Sequence, residues 1–92
     1  MNTIKHLEKL GFKAKEKVTG LEGVITSVDF DLYGCVQFLV QPSAKDGEIP
    51  RSKWFDVTRI DITSKERVME MPDFDKGYIS EGKKGPANKP IK

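Results

Sequence analysis

The side chains that could carry chemistry in this 92-residue chain are few, and none has the partners that catalysis requires. His6 is the only histidine and Cys35 the only cysteine, so together they cannot form a zinc site with four cysteine or histidine ligands. A nucleophilic Cys35 would need a nearby base, and its position in a predicted strand instead favours a small buried or half-buried thiol. We therefore expect no catalytic residue, no metal and no cofactor.

The remaining polar motifs have structural explanations. Asp29 and Asp31 would share one face of a continuing strand, but they fall at a predicted turn, where carboxylates commonly accept backbone hydrogen bonds. Gly20 and Gly23 lie in a predicted hairpin turn and not between a strand and a helix, so they do not form a phosphate-binding loop. The sequence therefore favours a binding protein over an enzyme.

Length and charge limit the classes of protein further. With 92 residues the chain has room for one small domain, and its 16 basic against 14 acidic residues give a formal charge of +2. Such an excess permits contact with nucleic acid but is also typical of an ordinary solvated surface. A lone cysteine indicates a reducing compartment, and no apolar run suggests a signal peptide or a membrane span. We expect a soluble, cytoplasmic protein.

The elements that must position these residues begin with a short N-terminal helix over about residues 2–10. Ile4, Leu7 and Leu10 recur at a spacing of three, which predicts one apolar face that docks on the rest of the domain. Gly11 suits a left-handed helix stop. His6, inside this helix, is expected at the surface or at an edge.

Short β-strands are predicted to follow. The first alternates apolar residues with lysines between Phe12 and Val18, and Glu16 interrupts its apolar face, which indicates a bulge or an edge strand. In the second, Val24, Thr26, Val28 and Phe30 are expected on one side. The others are predicted over residues 35–41, 53–55 and 60–62, with Asp56 capping a single turn at 57–59. Turns are predicted at 19–23, 31–34 and 45–47.

This pattern predicts a β-rich α+β fold with a small antiparallel sheet of four to five short strands. Two arrangements remain open, an SH3-like partial barrel or meander, and an open sheet with the helix across one face. Residues 1–62 are expected to form the single domain, residues 63–79 an extended segment that packs on it, and residues 80–92 a disordered basic tail.

A family resemblance sharpens the functional expectation. Most of the chain resembles a group of small phage and prophage proteins, and the likeness is carried by Lys17-Val18-Thr19-Gly20, Phe30-Asp31-Leu32-Tyr33-Gly34-Cys35, Lys45-Asp46-Gly47, Trp54-Phe55-Asp56 and Glu81-Gly82-Lys83-Lys84-Gly85-Pro86-Ala87. Within that group the chain is most similar to the anti-CRISPR proteins that inhibit type I-F CRISPR-Cas. These motifs are turns and strands, not a functional signature.

The resemblance implies stoichiometric inhibition without turnover. Such a protein binds the Cas proteins of the type I-F crRNA-guided surveillance complex, with contact to the crRNA, and blocks binding of the target DNA. The excess of lysine and arginine over acidic residues argues against an acidic mimic of DNA. We expect the free protein to be a monomer that does not bind membranes, and the resemblance implies that it acts in the cytoplasm of the host bacterial cell.

Candidate contact residues follow from charge and expected exposure. Basic residues would reach guide RNA phosphates, whereas acidic and aromatic residues would engage basic Cas subunits. The basic candidates are Lys13, Lys15, Lys17, Lys45, Arg51, Lys53 and Arg59. Asp29, Asp31 and Tyr33 are expected at one turn tip. In the Trp54-Phe55 pair one residue should be less buried than the other, since neighbouring strand residues point to opposite faces.

Two other functions remain open on sequence alone. The first is a small phage-encoded nucleic-acid-binding or regulatory module without a Cas partner. The second is a structural or assembly protein of the virion. Aromatic residues such as Tyr33 and Trp54 fit both a base-stacking and a protein-anchoring role.

Overall fold

The computed structural model describes residues 3–76. Its helix α1 covers Thr3–Leu7, and its five strands are β1 (Lys13–Glu16), β2 (Glu22–Phe30), β3 (Val36–Gln41), β4 (Lys53–Asp56) and β5 (Ile60–Ile62). Two single 3-10 turns cover Val57–Arg59 and Phe74–Lys76. All paired strands are antiparallel, in the order β4-β3-β2-β1-β5, which confirms the predicted β-rich α+β class. The predicted basic tail, residues 80–92, lies outside the described residues.

The sheet is open but curled. β4 and β5 lie at its opposite edges, yet only the 3-10 turn Val57–Arg59 joins them. In a flat sheet these strands would be about 19 Å apart, at about 4.8 Å for each interstrand spacing. The backbone from Asp56 to Ile60 spans at most about 15 Å even when fully extended, at about 3.8 Å per residue. The two edges must therefore approach each other, so the sheet curls toward a partial barrel.

Strand β2 pairs with a neighbour on each side and contains an irregularity. Its first residues pair with β1, and from Val24 onward it pairs with β3. The register shifts between Ile25 and Ser27, so Thr26 is an extra residue that forms a β-bulge. The bulge places both Ile25 and Val28 against the core and leaves Thr26 exposed. The prediction that Val24, Thr26, Val28 and Phe30 share one face was therefore wrong.

The core is small. In the described part of the chain four hydrophobic side chains are buried, and partly buried neighbours from the strands and turns pack around them: Ala14, Ile25, Phe38 and Val40, with Leu10, Leu21, Val28, Phe55, Val57, Ile60 and Ile62. Phe55 packs against this core, whereas Trp54 on the opposite face of β4 is 47% exposed, as the alternation predicted. Such a core gives a domain of this size little stability to spare.

The N-terminal helix is shorter than predicted. After Leu7 the amides of Lys9 and Leu10 donate to carbonyls three residues back, so the chain tightens into turns. Little more than one helical turn cannot present three apolar residues on one face, and Ile4 is exposed instead. His6 takes the docking position, with its ring centroid 6.1 Å from that of Phe30 on β2.

Residues after β5 return to the N-terminal turn. The Arg67 side chain donates to the carbonyls of Glu8 and Leu10, and its guanidinium lies over the Phe12 ring, 4.9 Å from the centroid. The amide of Val68 donates to the carbonyl of Gly11 at 2.6 Å. Gly11 has the predicted left-handed conformation, with φ of 89°. These contacts hold residues 67–68 against the end of the helical segment. No helix within residues 3–76 has the length and apolar character needed to cross a membrane.

Candidate interaction surfaces

Three predicted contact residues form a row along β1 and the residue directly after it, called here the lysine row: Lys13, Lys15 and Lys17. All three are exposed, because alternate residues of β1 face outward while Ala14 and Glu16 face inward. The row is not a purely cationic surface. Lys15 is the register partner of Glu22 on one side and Asp61 on the other.

Acidic neighbours reduce the field of the lysine row. Lys17 Nζ lies 3.6 Å from Asp61 Oδ1, and both side chains are more than half exposed. A surface ion pair of this kind contributes little to stability. It nevertheless lowers the local positive potential that a phosphate would meet. Only Lys13 in this row has a neutral residue, Val24, as its β2 partner.

The predicted basic residues of the later turns separate into two groups. Lys45, Arg51 and Lys53 are exposed and form no ion pair with any residue in the described range. Arg59 differs, because its Nε donates to Glu16 Oε2 at 2.5 Å and its guanidinium lies 5.4 Å from the centre of the Phe55 ring. Arg59 thus has a structural role, and we leave it out of the proposed contacts.

Glu16 is the buried partner of Arg59. Its side chain is fully shielded from solvent, and Oε1 accepts hydrogen bonds from the Val18 amide, the Thr19 amide and the Thr19 hydroxyl at 3.1, 2.5 and 2.7 Å. The carboxylate therefore fixes the turn after β1 and ties β1 to Arg59, just ahead of β5. Sequence reasoning treated Glu16 as a sign of a bulge or an edge, but β1 is internal and the bulge lies in β2.

The charge of Glu16 is stabilised by these donors. Burial raises its pKa, but the hydrogen bonds from Thr19, Arg59 and Val18 outweigh burial and lower the pKa from 4.5 to about 2. Hydrogen bonds from the Thr58 hydroxyl and amide likewise lower the pKa of Asp56, which caps the turn before β5 as predicted. Because every donor comes from the domain itself, we interpret Glu16 as a structural carboxylate and not as a catalytic acid.

Acid is expected to destabilise the domain through Glu16. Its folded pKa of about 2 lies below the ordinary 4.5, so the unfolded chain binds this proton more readily. The stabilisation is therefore fully present above about pH 4.5 and is lost as the pH falls toward 2. Urea unfolding midpoints measured between pH 7 and pH 3 should fall below pH 4.5, and less steeply in Glu16→Gln. Equal slopes for the two proteins would contradict the assignment.

The remaining predicted residues lie at or near the loop between β2 and β3, called here the hairpin tip (residues 30–35). Asp29 is exposed near the end of β2, and Asp31 begins the loop. Asp31 Oδ1 accepts from the amides of Tyr33 and Cys35, each at 2.9 Å, which confirms the predicted capping role. Tyr33 is 87% exposed and its neighbour Leu32 is 93% exposed.

The position of Cys35 corrects one prediction. Cys35 is exposed and lies just before β3, not within a strand. The reason is local, because its amide donates to the Asp31 side chain and its carbonyl accepts from the Asp31 amide, which closes the loop one residue before β3 begins. The expectation of a buried or half-buried thiol was wrong.

Sequence reasoning also missed Leu32 as a surface residue. The available signal was its place between Asp31 and Gly34, inside a predicted turn, where an apolar side chain has no strand face to join.

A smaller apolar surface, called here the outer stripe, lies on the outer face of the sheet, where Leu39 is paired with Trp54 on β4 and with Ser27 on β2. Leu39 is half-buried and Trp54 more exposed.

Within residues 3–76, no group of three or more histidine, cysteine, aspartate and glutamate side chains is placed to hold a metal ion. The exposed surfaces that could meet a partner are the lysine row, the later basic residues, the outer stripe and the hairpin tip.

Comparison of the chain with protein-family models, curated proteins and solved structures finds no match.

Proposed function

We propose that this protein is a binding module that inhibits the type I-F crRNA-guided surveillance complex by occupying it stoichiometrically. On this proposal it sits on Cas subunits, touches the crRNA and prevents target DNA from pairing with the guide. The choice of partner rests on the resemblance of residues 12–62 to phage anti-CRISPR proteins. The mode of action, binding without turnover, rests on the surface of the domain.

The observation that carries the binding role is the distribution of apolar side chains. Within residues 3–76 only four hydrophobic residues are buried, whereas large apolar side chains are exposed in several places, most fully at Leu32 and Tyr33. Exposed apolar residues are unremarkable when scattered, but neighbouring ones on a small domain mark an interaction site. A chain that leaves so much apolar surface outside a small core is suited to a partner that covers it.

Charge placement supports a mode of inhibition other than mimicry of DNA. A DNA mimic presents carboxylates in rows that imitate phosphates, but here the carboxylates of Glu22 and Asp61 flank Lys15. The charges on this face therefore alternate in sign. Binding by wedging among subunits uses such a mixed surface, since it meets both RNA phosphates and basic protein side chains.

The proposed contacts divide by charge. Lys13, Lys15, Lys17, Lys45, Arg51 and Lys53 are assigned to phosphates of the guide RNA. Asp29, Asp31 and Tyr33 are assigned to basic Cas subunits. The three basic residues of the β3–β4 connection and β4 are the strongest phosphate candidates, because they are exposed and no acidic side chain in the described range pairs with them.

Size-exclusion chromatography tests the proposal directly. The purified protein is mixed with assembled type I-F complex, and the fractions are assayed for binding of labelled target DNA. We expect co-elution at a fixed ratio together with loss of DNA binding. Separate elution with intact DNA binding would overturn the proposal.

Reversing the lysine row is expected to weaken inhibition. Changing Lys13, Lys15 and Lys17 to glutamate would place carboxylates where RNA phosphates are proposed to lie, and the affinity for the complex should fall roughly tenfold or more. A matched control with the same change in net charge carries glutamate at Lys5, Lys65 and Lys92. Thermal melts establish that both triple variants fold. Equal inhibition by the two variants would remove the lysine row from the contact surface.

A nucleic-acid-binding module without a Cas partner is the second candidate. The observation that favours it is the half-exposed Trp54, a side chain suited to base stacking, in a segment that also carries the exposed basic residues Arg51 and Lys53. Binding of free RNA or single-stranded DNA that weakens steeply with salt, without co-elution with the complex, would favour this candidate. Self-assembly with neither kind of binding would favour a virion component.

A further inference from the structure

We infer that the hairpin tip is a preorganised anchor for a protein, with Leu32 and Tyr33 inserting into an apolar pocket rimmed by lysine or arginine side chains. This inference rests on the proposed function and specifies which part of the chain meets protein instead of RNA. Leu32 is 93% exposed and Tyr33 is 87% exposed, although both have large and mainly apolar side chains.

The tip is held in one conformation by hydrogen bonds that converge on Asp31. Its side chain accepts from the amides of Tyr33 and Cys35, its amide donates to the carbonyl of Cys35, and its carbonyl accepts from Gly34. Gly34 has φ of 90°, a conformation that few other residues adopt, and this allows the tight loop. Leu32 and Tyr33 are thus exposed on a fixed backbone, so binding them costs little loop-ordering entropy.

The base of the hairpin tip packs against the helix α1. Phe30 at the end of β2 pairs with Val36 at the start of β3, and its ring lies next to that of His6 on α1. His6 also approaches Phe38, a buried core residue, with 6.3 Å between ring centroids. The rings of Phe30, His6 and Phe38 therefore connect the base of the hairpin tip to the core.

Charge identifies the class of partner. Residues 18–44 contain Glu22, Asp29 and Asp31 but no lysine or arginine, although the whole chain has a formal charge of +2. The β2–β3 hairpin is therefore an acidic region of a slightly basic protein. An acidic tip repels phosphates, which argues against RNA or DNA as its ligand. It attracts a pocket rimmed by basic side chains, and tyrosine is among the residues that most often dominate protein interfaces.

The first test measures affinity of tip variants for the purified type I-F complex at physiological salt. Tyr33→Ala should lose about 30-fold or more in affinity, as expected for a central interface aromatic residue, and Leu32→Ala should lose less. Phe74→Ala and Ile49→Ala are the matched controls, since each removes an exposed side chain of similar kind elsewhere. Equal affinities for the tip and control variants would overturn the inference.

A pair of substitutions at Asp31 separates charge from loop order. Asp31→Asn keeps an oxygen that can accept from Tyr33 and Cys35, whereas Asp31→Ala removes both hydrogen bonds. If a rigid tip is needed, Asp31→Ala should weaken binding about tenfold more than Asp31→Asn. Identical affinities of the two variants would contradict a preorganised tip.

The unique thiol provides a readout in the unmodified protein. Cys35 is exposed and two residues from Tyr33, so its alkylation by iodoacetamide, followed by the intact mass of the chain, reports whether the tip is covered. Saturating complex should slow alkylation at least about tenfold, because the bound state excludes solvent around an anchor. Free crRNA should not slow it, and protection by crRNA alone would overturn the inference in favour of an RNA-facing tip.

The outcomes separate this inference from the proposed function. If the protein does not co-elute with the complex, the proposed function fails and the anchor fails with it. If it co-elutes but Cys35 remains reactive and Tyr33→Ala binds normally, only the anchor fails. Co-elution with Cys35 protected and a selective loss of affinity at Tyr33 supports both.

Discussion

Replacing Glu16 by alanine is expected to lower the melting temperature of the domain by about 10 °C or more, the largest loss for any charged residue described here. The substitution removes the acceptor for Val18, Thr19 and Arg59 at once. It leaves a cavity and an unpaired cation beside a core that is already small. Thermal unfolding followed by circular dichroism measures the effect.

The matched control is Glu22→Ala, which removes an exposed glutamate from the neighbouring strand β2. We expect that variant to melt within about 2 °C of the natural protein, because surface substitutions usually have small effects. A double-mutant cycle with Arg59→Ala should show strong coupling between the two stability losses, since removing either residue leaves the charge of the other without its partner. Additive effects of Glu16→Ala and Arg59→Ala would mean that the ion pair does not link β1 to the turn before β5.

Substituting alanine for Gly23 is expected to destabilise the domain by about 3 kcal/mol, through a steric clash in the sheet. A Cβ at this position would overlap the carbonyl oxygen of Gln41 and lie 2.7 Å from its carbonyl carbon and 2.9 Å from Val40 Cγ1. Two of these atoms are backbone, so they move only if β3 moves. Urea unfolding at pH 7 measures the change.

The direction of the stability change at Gly23 distinguishes a steric clash from an uncrowded strand position. Gly23 has no left-handed backbone, and in an open strand a glycine to alanine change would stabilise by restricting the unfolded chain. Adding Val40→Ala removes the Val40 contact but leaves the Gln41 backbone in place, so the double variant should be no more stable than Gly23→Ala. A Gly23→Ala protein as stable as the natural one would contradict the close approach of β2 and β3.

Local features of the fold were predictable from sequence because they depend on near neighbours. Asp56 caps the turn two residues ahead, Gly11 ends the helical segment, and the alternation around Phe38 and Val40 gives the buried face of β3. Each depends on a few adjacent residues and on preferences that hold in any protein. The Asp31 cap at the tip was predicted for the same reason.

The features that sequence could not give depend on distant parts of the chain. Glu16 is buried as a charge only because Arg59, 43 residues away, is brought against it. The bulge at Thr26 follows from the simultaneous pairing of β2 with β1 and β3, which no local pattern records. Cys35 was misplaced because the loop closed by Asp31 delays β3 by one residue.

The candidate site was only partly predictable. Charge and turn propensity identified Asp29, Asp31 and Tyr33 as one exposed group, and the structure brings them to the end of one hairpin. The lysine row was predicted on the outer face, but its acidic neighbours come from two strands far apart in sequence. Register, and not composition, therefore determines how strongly that row can attract phosphate.

The exposed surface of this small domain carries its basic and its acidic, apolar groups on different elements. The curled sheet presents basic residues along β1 and before β4, while the β2–β3 hairpin presents an acidic, apolar tip. On the proposed function, such a surface would contact the ribonucleoprotein at both its protein and its RNA components. Inhibition would then follow from occupancy alone.

The most direct test of this account is a titration of target DNA binding by a fixed concentration of type I-F complex, well above the dissociation constant, with increasing amounts of the protein. We expect DNA binding to fall linearly and to end at a small whole-number ratio of protein to complex. Complete loss of DNA binding at a small fraction of one protein per complex would contradict inhibition by occupancy.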